Sequence, residues 1–468
     1  MDEAAIIMHY KEAINTEFVN ELARKVGFIK RSTSRLLGYE LAEALIFSNL
    51  KGSAVNLSDI YDRITQINPQ ARMSLSALCQ RLNSASCVVF MRGCLQKMLS
   101  EERQTFVQNN REVFKNLIGE FSSILLEDST QGTLHESLAE NFRGSGGSAS
   151  SSAFKLNLIH NFTTAQIVDI ELTQGCVPDQ SLNTRVLKYL KLGDLVIRDL
   201  GYFSLSTFFK IHELGAFYLS RLQTGTYVYL NQDDKEPLDI AKYADRHFSQ
   251  DNIIELFVYV GKEERLACRM VIYRAPHCVV NDRLRKMHKN EKRKNRKTSK
   301  AKLNLLRFTI FITNVPSEKL PKNIVGTLYR LRWECELIFK SWKSQLNIHL
   351  IKGEKVNRII CFVYARLCLI LCLSAVICWA RNYARIVLKR EISTVKLLNY
   401  LMRWHRMAHV IRLRSIEGLL EEIKKVMLQL LLKDKRKRKT TLERIDHLEN
   451  YAESLEKLEI KWGTKAAA

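Results

Sequence analysis

Two stretches, Ser122-Ser123-Ile124-Leu125-Leu126-Glu127-Asp128 and Leu195-Val196-Ile197-Arg198-Asp199, set the frame for the whole chain. Each is a short apolar run closing on an aspartate, the pattern of a strand buried on both faces. Between them the small-residue loop Gly144 to Ser152 leads into Phe154-Lys155-Leu156-Asn157-Leu158, whose alternation predicts a second strand. Ala165 to Leu172 reads as a third strand and Leu182 to Leu192 as a helix. After Asp199, Leu205 to Ile211 reads as a helix and Ala216 to Leu222 as a strand. The order is three strands, helix, strand, helix, strand, with one acid ending the first strand and another ending the fourth. That is the order of the RNase H-like α/β fold, in which those two strands lie side by side.

Working outward, residues 1–105 read as a helical N-terminal DNA-binding domain. Glu17 to Val26, Arg35 to Leu50, Asn56 to Thr65 and Leu75 to Leu82 carry apolar residues at helical spacing. The piece from Leu57 to Ile64, a loop through Pro69, and Ser74 to Leu82 resembles a helix-turn-helix. Residues 106–223 form the first part of the expected catalytic core. Residues 224–314 read as a β-rich insertion, with strand signals at Tyr227 to Leu230, Ile253 to Val260, Arg269 to Tyr273 and Phe308 to Thr313, carrying a solvated basic loop. Residues 315–385 complete the core, with a helix expected from Pro321 through Ser344. Residues 386–468 read as a helical C-terminal region for dimerisation and DNA binding. There, Ile416, Leu419, Leu420, Ile423, Met427 and Leu430 make an apolar stripe suited to a partner helix. Ala466 to Ala468 are set aside.

The 468 residues carry a net charge of +24, with 46% hydrophobic and 9% aromatic residues, enough for several cores and a bias toward polyanions. Arg283 to Lys300 holds ten basic residues against Glu291, and Lys433 to Lys439 holds six against Asp434, so these two runs supply more than half of the excess. Nucleic acid is the expected partner. Eleven cysteines without a CxxC pair read as small buried hydrophobes of a reducing compartment. Met1-Asp2-Glu3 is acidic where a secretory signal would be basic. Ile359 to Ala380 is long enough to span a membrane, but Arg366 lies within it, so a buried helix with Arg366 turned to a polar partner is expected, and no membrane association.

The chemistry concentrates in Tyr329-Arg330-Leu331-Arg332-Trp333-Glu334-Cys335-Glu336-Leu337-Ile338-Phe339-Lys340-Ser341-Trp342-Lys343. At ~100° per residue on a continuous α-helix, Tyr329, Arg332, Glu336, Lys340 and Lys343 share one face. Salt bridges along the helix explain pairs such as Arg332–Glu336. A phosphate-gripping face with one metal-binding acid explains all five groups. Three carboxylates can hold a pair of hard divalent cations, and such a pair can both activate an attacking oxygen and stabilise a leaving one.

Tyr329-x2-Arg332-x3-Glu336-x6-Lys343 matches without a gap the Tyr-Arg-Glu-Lys signature of the IS-four family of DDE transposases. Leu126-Glu127-Asp128-Ser129-Thr130 resembles that family's first-aspartate strand. Gly193 to Phe203 resembles its second, and Ser220-Arg221-Leu222 the strand that follows. The resemblance covers residues 20–385 by order of elements, including a β insertion before the signature. It implies catalytic and metal-binding roles for Asp128, Asp199 and Glu336 with two Mg²⁺ or Mn²⁺, and DNA contacts for Tyr329, Arg332 and Lys343. Lys340 shares their face, Trp333 adjoins them, and Phe308 or Phe311 is a candidate to stack a base flipped from the duplex. It further implies a cut-and-paste reaction, through a hairpin intermediate, on the inverted-repeat ends of an insertion sequence and on target DNA. The protein would act as a homodimer in the synaptic complex, in the bacterial cytoplasm at the nucleoid. The alternative of another class is a non-catalytic DNA-binding protein, a domesticated transposase or repressor, against which the intact acid triad argues.

Overall fold

The computed structural model describes residues 15–51, 55–71, 73–105, 119–146, 150–248, 253–295, 297–403, 417–432 and 443. In chain order, helices α1 (Thr16–Lys25), α2 (Gly38–Ser48), α3 (Leu57–Ile67), α4 (Leu75–Leu82) and α5 (Ala85–Thr105) come first. Strands β1 (Ile124–Thr133), β2 (Ala153–Asn161), β3 (Gln166–Gln174) and β4 (Leu195–Arg198) follow. Next are α6 (Leu205–Glu213), β5 (Phe217–Arg221), β6 (Val228–Tyr229), α7 (Ile240–His247), β7 (Ile253–Val260) and β8 (Leu266–Arg274). Then come α8 (His277–Lys294), α9 (Lys300–Leu305), β9 (Phe308–Thr313), α10 (Val325–Tyr329) and α11 (Trp333–Gln345). Helices α12 (Val356–Ile386), α13 (Thr394–Arg403) and α14 (Glu417–Val426) follow these.

The chain divides into two compact units: Met1–Val113, Ser129–Val177 and Glu334–Lys439 form one, and Phe114–Asp128, Pro178–Trp333 and Thr440–Ala468 the other. In the second unit the strand order is β1-β4-β5-β9-β8-β7-β6. The first half of β1 pairs parallel with β4, and β4 with β5. From β5 onward every pairing is antiparallel. All four residues of β4 are buried, as a parallel strand covered on both faces requires. Gly193 opens β4 with φ +80°, and a Cβ there would meet the Ser122 hydroxyl at 2.8 Å, so the turn admits glycine. The Asp194 carboxylate closes the same turn, accepting from the Ser123 hydroxyl at 2.8 Å and the Lys191 amide at 2.7 Å.

Several local expectations change. β1 does not stop at Asp128 but continues to Thr133, with Asp128 its fifth residue. The helix expected over 182–192 is instead two short 3₁₀ turns, Asp179–Leu182 and Arg185–Lys188. They wrap a buried arginine, since Arg198 donates to the Asn183 carbonyl at 2.7 Å. The basic run is not a solvated loop: α8 and α9 occupy it as a helical hairpin, joined where Asn295 takes the left-handed conformation, φ +44°. The signature helix begins at Val325 rather than Pro321 and is interrupted by a 3₁₀ turn over Arg330–Arg332. A constant angular step from Tyr329 to Lys343 therefore does not hold.

In the first unit, α3 and α4 are both present, each with its cap. The Asn56 side chain accepts from the Asp59 amide at 2.8 Å, and Ser74 from Ala77 at 3.1 Å. β2 and β3 form an antiparallel hairpin beside the second half of β1. Helix α12 is long and apolar enough to cross a membrane, but its most apolar stretch is 83% buried within the molecule. It packs against α5, α2 and β3. Arg366 is 4% exposed: its Nε donates to Asn49 Oδ1 at 2.8 Å, and its Nη1 donates to the carbonyls of Leu350 and Asn347. Burial lowers its pKa to about 10. The late apolar stripe is not free for a partner helix. Leu419, Leu420, Ile423 and Met427 are fully buried, and the Ser393 amide donates to the Leu431 carbonyl at 2.8 Å. Leu430 is the exception, 55% exposed, while Ile416 and the run Lys433–Lys439 lie outside the described residues.

One buried acid joins α5 to the hairpin. Glu102 Oε1 accepts from the Ile167 amide at 3.2 Å and from the Ser374 hydroxyl at 3.1 Å, and burial raises its pKa to about 8. The folded chain therefore holds a proton that the unfolded chain releases, and stability falls as pH rises from the ordinary glutamate range through about 8. Glu102→Gln keeps both hydrogen bonds without the titration. The variant should be more stable than the parent at pH 8, by an amount on the order of 5 kcal/mol at most, and lose this part of the pH dependence. An unchanged slope in melting curves between pH 5 and 8 would refute the assignment.

Candidate active site

The register of β1 against β4 pairs Ile124 with Leu195 and ends with Glu127 beside Arg198. Those two side chains form an ion pair at 2.9 Å, at 2% and 0% side-chain exposure. Burial pushes the Glu127 carboxyl up, and the charges of Arg198 and Arg185 pull it back down. Arg198 also lies over the Tyr202 ring, 5.5 Å from its centroid. Asp128 and Asp199 are the next residues on the two chains. Successive side chains in extended backbone point to opposite faces, so both aspartates leave the sheet on the face away from the Glu127–Arg198 pair. Asp199 has extended backbone, φ −75° and ψ 162°, and precedes the 3₁₀ turn Leu200–Tyr202.

The aspartates converge on one guanidinium. Arg332 Nη1 lies 2.7 Å from Asp128 Oδ2, and its Nε lies 3.6 Å from Asp199 Oδ1. Asp128 and Arg332 are each 17% exposed in their side chains and Asp199 43%, so the pair opens to solvent on the Asp199 side. Tyr329 stands alongside, its ring 5.1 Å from that of Phe311 on β9. Burial raises its pKa to about 12, helped by the negative Asp199, while Arg332 and Arg221 oppose the shift. Arg221, at the end of β5, is thus part of this neighbourhood. Its signal in the sequence was only its place in a matched block.

Glu336, Lys340 and Lys343 lie on α11 in the other unit; Glu336 and Lys343 are half-buried and Lys340 is exposed. Burial lowers the Lys343 pKa. The neighbouring acid Glu334 is buried, with Arg381 at 3.9 Å. Among the described residues no group of three or more His, Cys, Asp or Glu is gathered as a metal site. Phe308 is 4% exposed and stacked on Phe248 at 5.6 Å, with Arg307 over its ring. Phe311 is also buried, between Tyr273 and Tyr329. Trp333 is the open aromatic beside the signature, at 49% exposure.

Residues 119–373, which contain Asp128, Asp199, Tyr329, Arg332, Glu336 and Lys343, match the family model described as the transposase DDE domain, and the chain belongs to that family. It is a DDE transposase. Among its relatives, the transposase for insertion sequence element IS231F of Bacillus thuringiensis subsp. israelensis is 29% identical over 401 residues, covering 82% of each chain. The transposase for insertion sequence element IS1151 of Clostridium perfringens is 27% identical over 414 residues, covering 84% of this chain and 85% of its own. These relatives bear out the IS-four resemblance.

Removing one partner of a buried ion pair strands the other, typically at about 3–5 kcal/mol. Arg198→Met should therefore destabilise the protein by that order in urea denaturation. The double replacement Glu127→Leu with Arg198→Met should recover most of the loss. A double variant as unstable as the single one would show that the pair's charge is not what the site requires.

Proposed function

We propose that this chain is an insertion-sequence transposase whose catalytic acids are Asp128, Asp199 and Glu336, carried on an RNase H-like core with flanking helical regions. The observation that carries this is the convergence of Asp128 and Asp199 on the single guanidinium of Arg332. Two oxygen-donor groups brought that close, on a partly open face, fit a divalent ion. Asp128, Asp199 and Glu336 would hold two Mg²⁺ or Mn²⁺. Bound there, the ions make water nucleophilic and stabilise the oxygen that leaves when a phosphodiester is cut.

The chain's own residues do the positioning. Tyr329 sits beside Asp199 and is braced by Phe311, so a DNA phosphate seated at the aspartates would lie within reach of its hydroxyl and of Arg332. Lys340, Lys343 and Trp333 would extend the same contacts. Arg332 has two roles in this reading: it neutralises the aspartates in the free protein and turns to phosphate when DNA arrives. The substrate is duplex DNA at the element's ends and at the target, in a cut-and-paste reaction through a hairpin, with α3 and α4 reading the end. Two copies would pair the two ends in the synapse, acting at the bacterial nucleoid. The dimer contact must come from somewhere other than the buried stripe of α14.

Asp128→Asn, Asp199→Asn and Glu336→Gln should each reduce Mg²⁺-dependent nicking of end DNA by about 10²–10³-fold or more, the scale of losing one electrostatic stabiliser. Binding to the same DNA should persist. Near-normal nicking by any one variant removes that residue from the triad.

Arg332→Ala removes a cation that competes for the same carboxylates. In the DNA-free protein it should raise Mn²⁺ affinity at least about tenfold, since unit charges ~4 Å apart interact by several kcal/mol near a surface, while strand transfer falls. Water-proton relaxation on titration with Mn²⁺ reads the first effect. Weaker Mn²⁺ binding in the variant would overturn the dual role.

A further inference from the structure

The helical hairpin inside the insertion has no role in the site described above, yet its residues are arranged. On α8, Arg283, Lys286, Met287, Asn290 and Glu291 recur at i, i+3, i+4, i+7 and i+8 and line one wall of a groove of about 800 Å³. Lys297, Lys302 and Arg221 of β5 also line it. The groove thus carries five cationic side chains against the one carboxylate of Glu291. That carboxylate is already engaged, accepting from the Thr298 amide at 2.6 Å and facing His288 at 3.1 Å, which pins the hairpin's turn.

Arg283 is held rigidly. Its Nη1 donates to the carbonyls of Leu306 at 2.9 Å and Phe308 at 2.7 Å, and its Nη2 to the Thr309 hydroxyl at 2.7 Å. Burial and the like charge of Arg221 both lower its pKa, so these cations are held together against their own repulsion. An anion in the groove relieves that repulsion. The charge of Arg221 also reaches Tyr329, as does that of Asp199, so the Arg221 side of the groove lies toward the aspartate pair within the same unit.

We infer that this groove binds the phosphodiester backbone of DNA running on from the aspartate pair, using the Arg283/Lys286/Asn290 face of α8 together with Lys297, Lys302 and Arg221. This rests on the functional reading above only for the direction of the strand. The affinity itself is testable without cleavage. The opposite face of α8 carries Arg285, Lys289 and Lys292, three cations to match Lys286, Lys297 and Lys302, and does not line the groove. A merely solvated basic run would use both faces alike.

The experiment compares two triple variants of the full chain: Lys286→Ala, Lys297→Ala, Lys302→Ala in the groove, and Arg285→Ala, Lys289→Ala, Lys292→Ala outside it. Binding is measured by fluorescence anisotropy against salt, in EDTA, with a random duplex of about 40 base pairs and a single strand of about 40 nucleotides. Each lost phosphate contact lowers the log–log salt slope by about 0.9 on duplex and about 0.7 on single strand. The groove variant should lose about 2–3 units of slope and on the order of 10- to 100-fold in affinity at about 0.2 M salt. The control should lose less than about one unit. Whichever probe shows the loss identifies the groove's strand as duplex or single. Equal losses from both variants, or none from the groove variant with an unchanged melting temperature, would overturn the proposal. Because no metal is present, a failed triad assignment would leave this result untouched, and the reverse holds too.

Discussion

The ion pair of Glu127 and Arg198 is the constraint on which the site depends. Ile124, Leu125 and Leu126 could lie against Leu195, Val196 and Ile197 in more than one register at similar apolar burial, because aliphatic side chains interchange at modest cost. A buried carboxylate and guanidinium cannot be shifted so freely. A slip by one residue would move each to the opposite face and leave two charges buried without partners, at several kcal/mol. The pair is therefore better understood as fixing a register than as adding stability. With the register fixed, Asp128 and Asp199 emerge side by side on the other face.

What meets them there is decided by the segment between β5 and β9. Residues after β5 travel through β6, β7 and β8 and return as β9, which pairs with both β5 and β8. That return places Phe311 under Tyr329, and the 3₁₀ turn over Arg330–Arg332 carries Arg332 to the aspartates. The same return puts the basic hairpin between β8 and β9, with Arg221 on its border. The segment from β6 to β9 is thus structural support for the aspartate site as well as a second charged surface.

Polarity inside the first unit follows a different economy. Arg366 and Glu102 are both buried, and each is hydrogen-bonded by backbone or neutral side-chain groups. An arginine can do this because its five donors find carbonyls while its charge persists. A carboxyl so placed gives up its charge instead, and its pKa rises to about 8.

The succession of strands along the chain, the adjacency of the two aspartate strands, the burial of Arg366's helix and the spacing of the signature residues were all legible in the sequence. These features depend on local periodicity, on the cost of a charge in an apolar helix and on residue spacing, which the chain carries residue by residue. The continuation of β1 past Asp128, the 3₁₀ turns at 179–188 and the break at Arg330–Arg332 were not. Each answers to a partner distant in sequence: Arg198 reaching Asn183, or Arg332 reaching Asp128. The basic run reads as a loop by charge alone and becomes a hairpin because Arg283 anchors it to β9 and Glu291 ties its turn. Likewise the stripe of Leu419, Leu420 and Ile423 looks the same whether it faces its own chain or another. Periodicity fixes that a face is apolar, and only the packed structure decides what covers it, because the hydrophobic effect has no direction of its own.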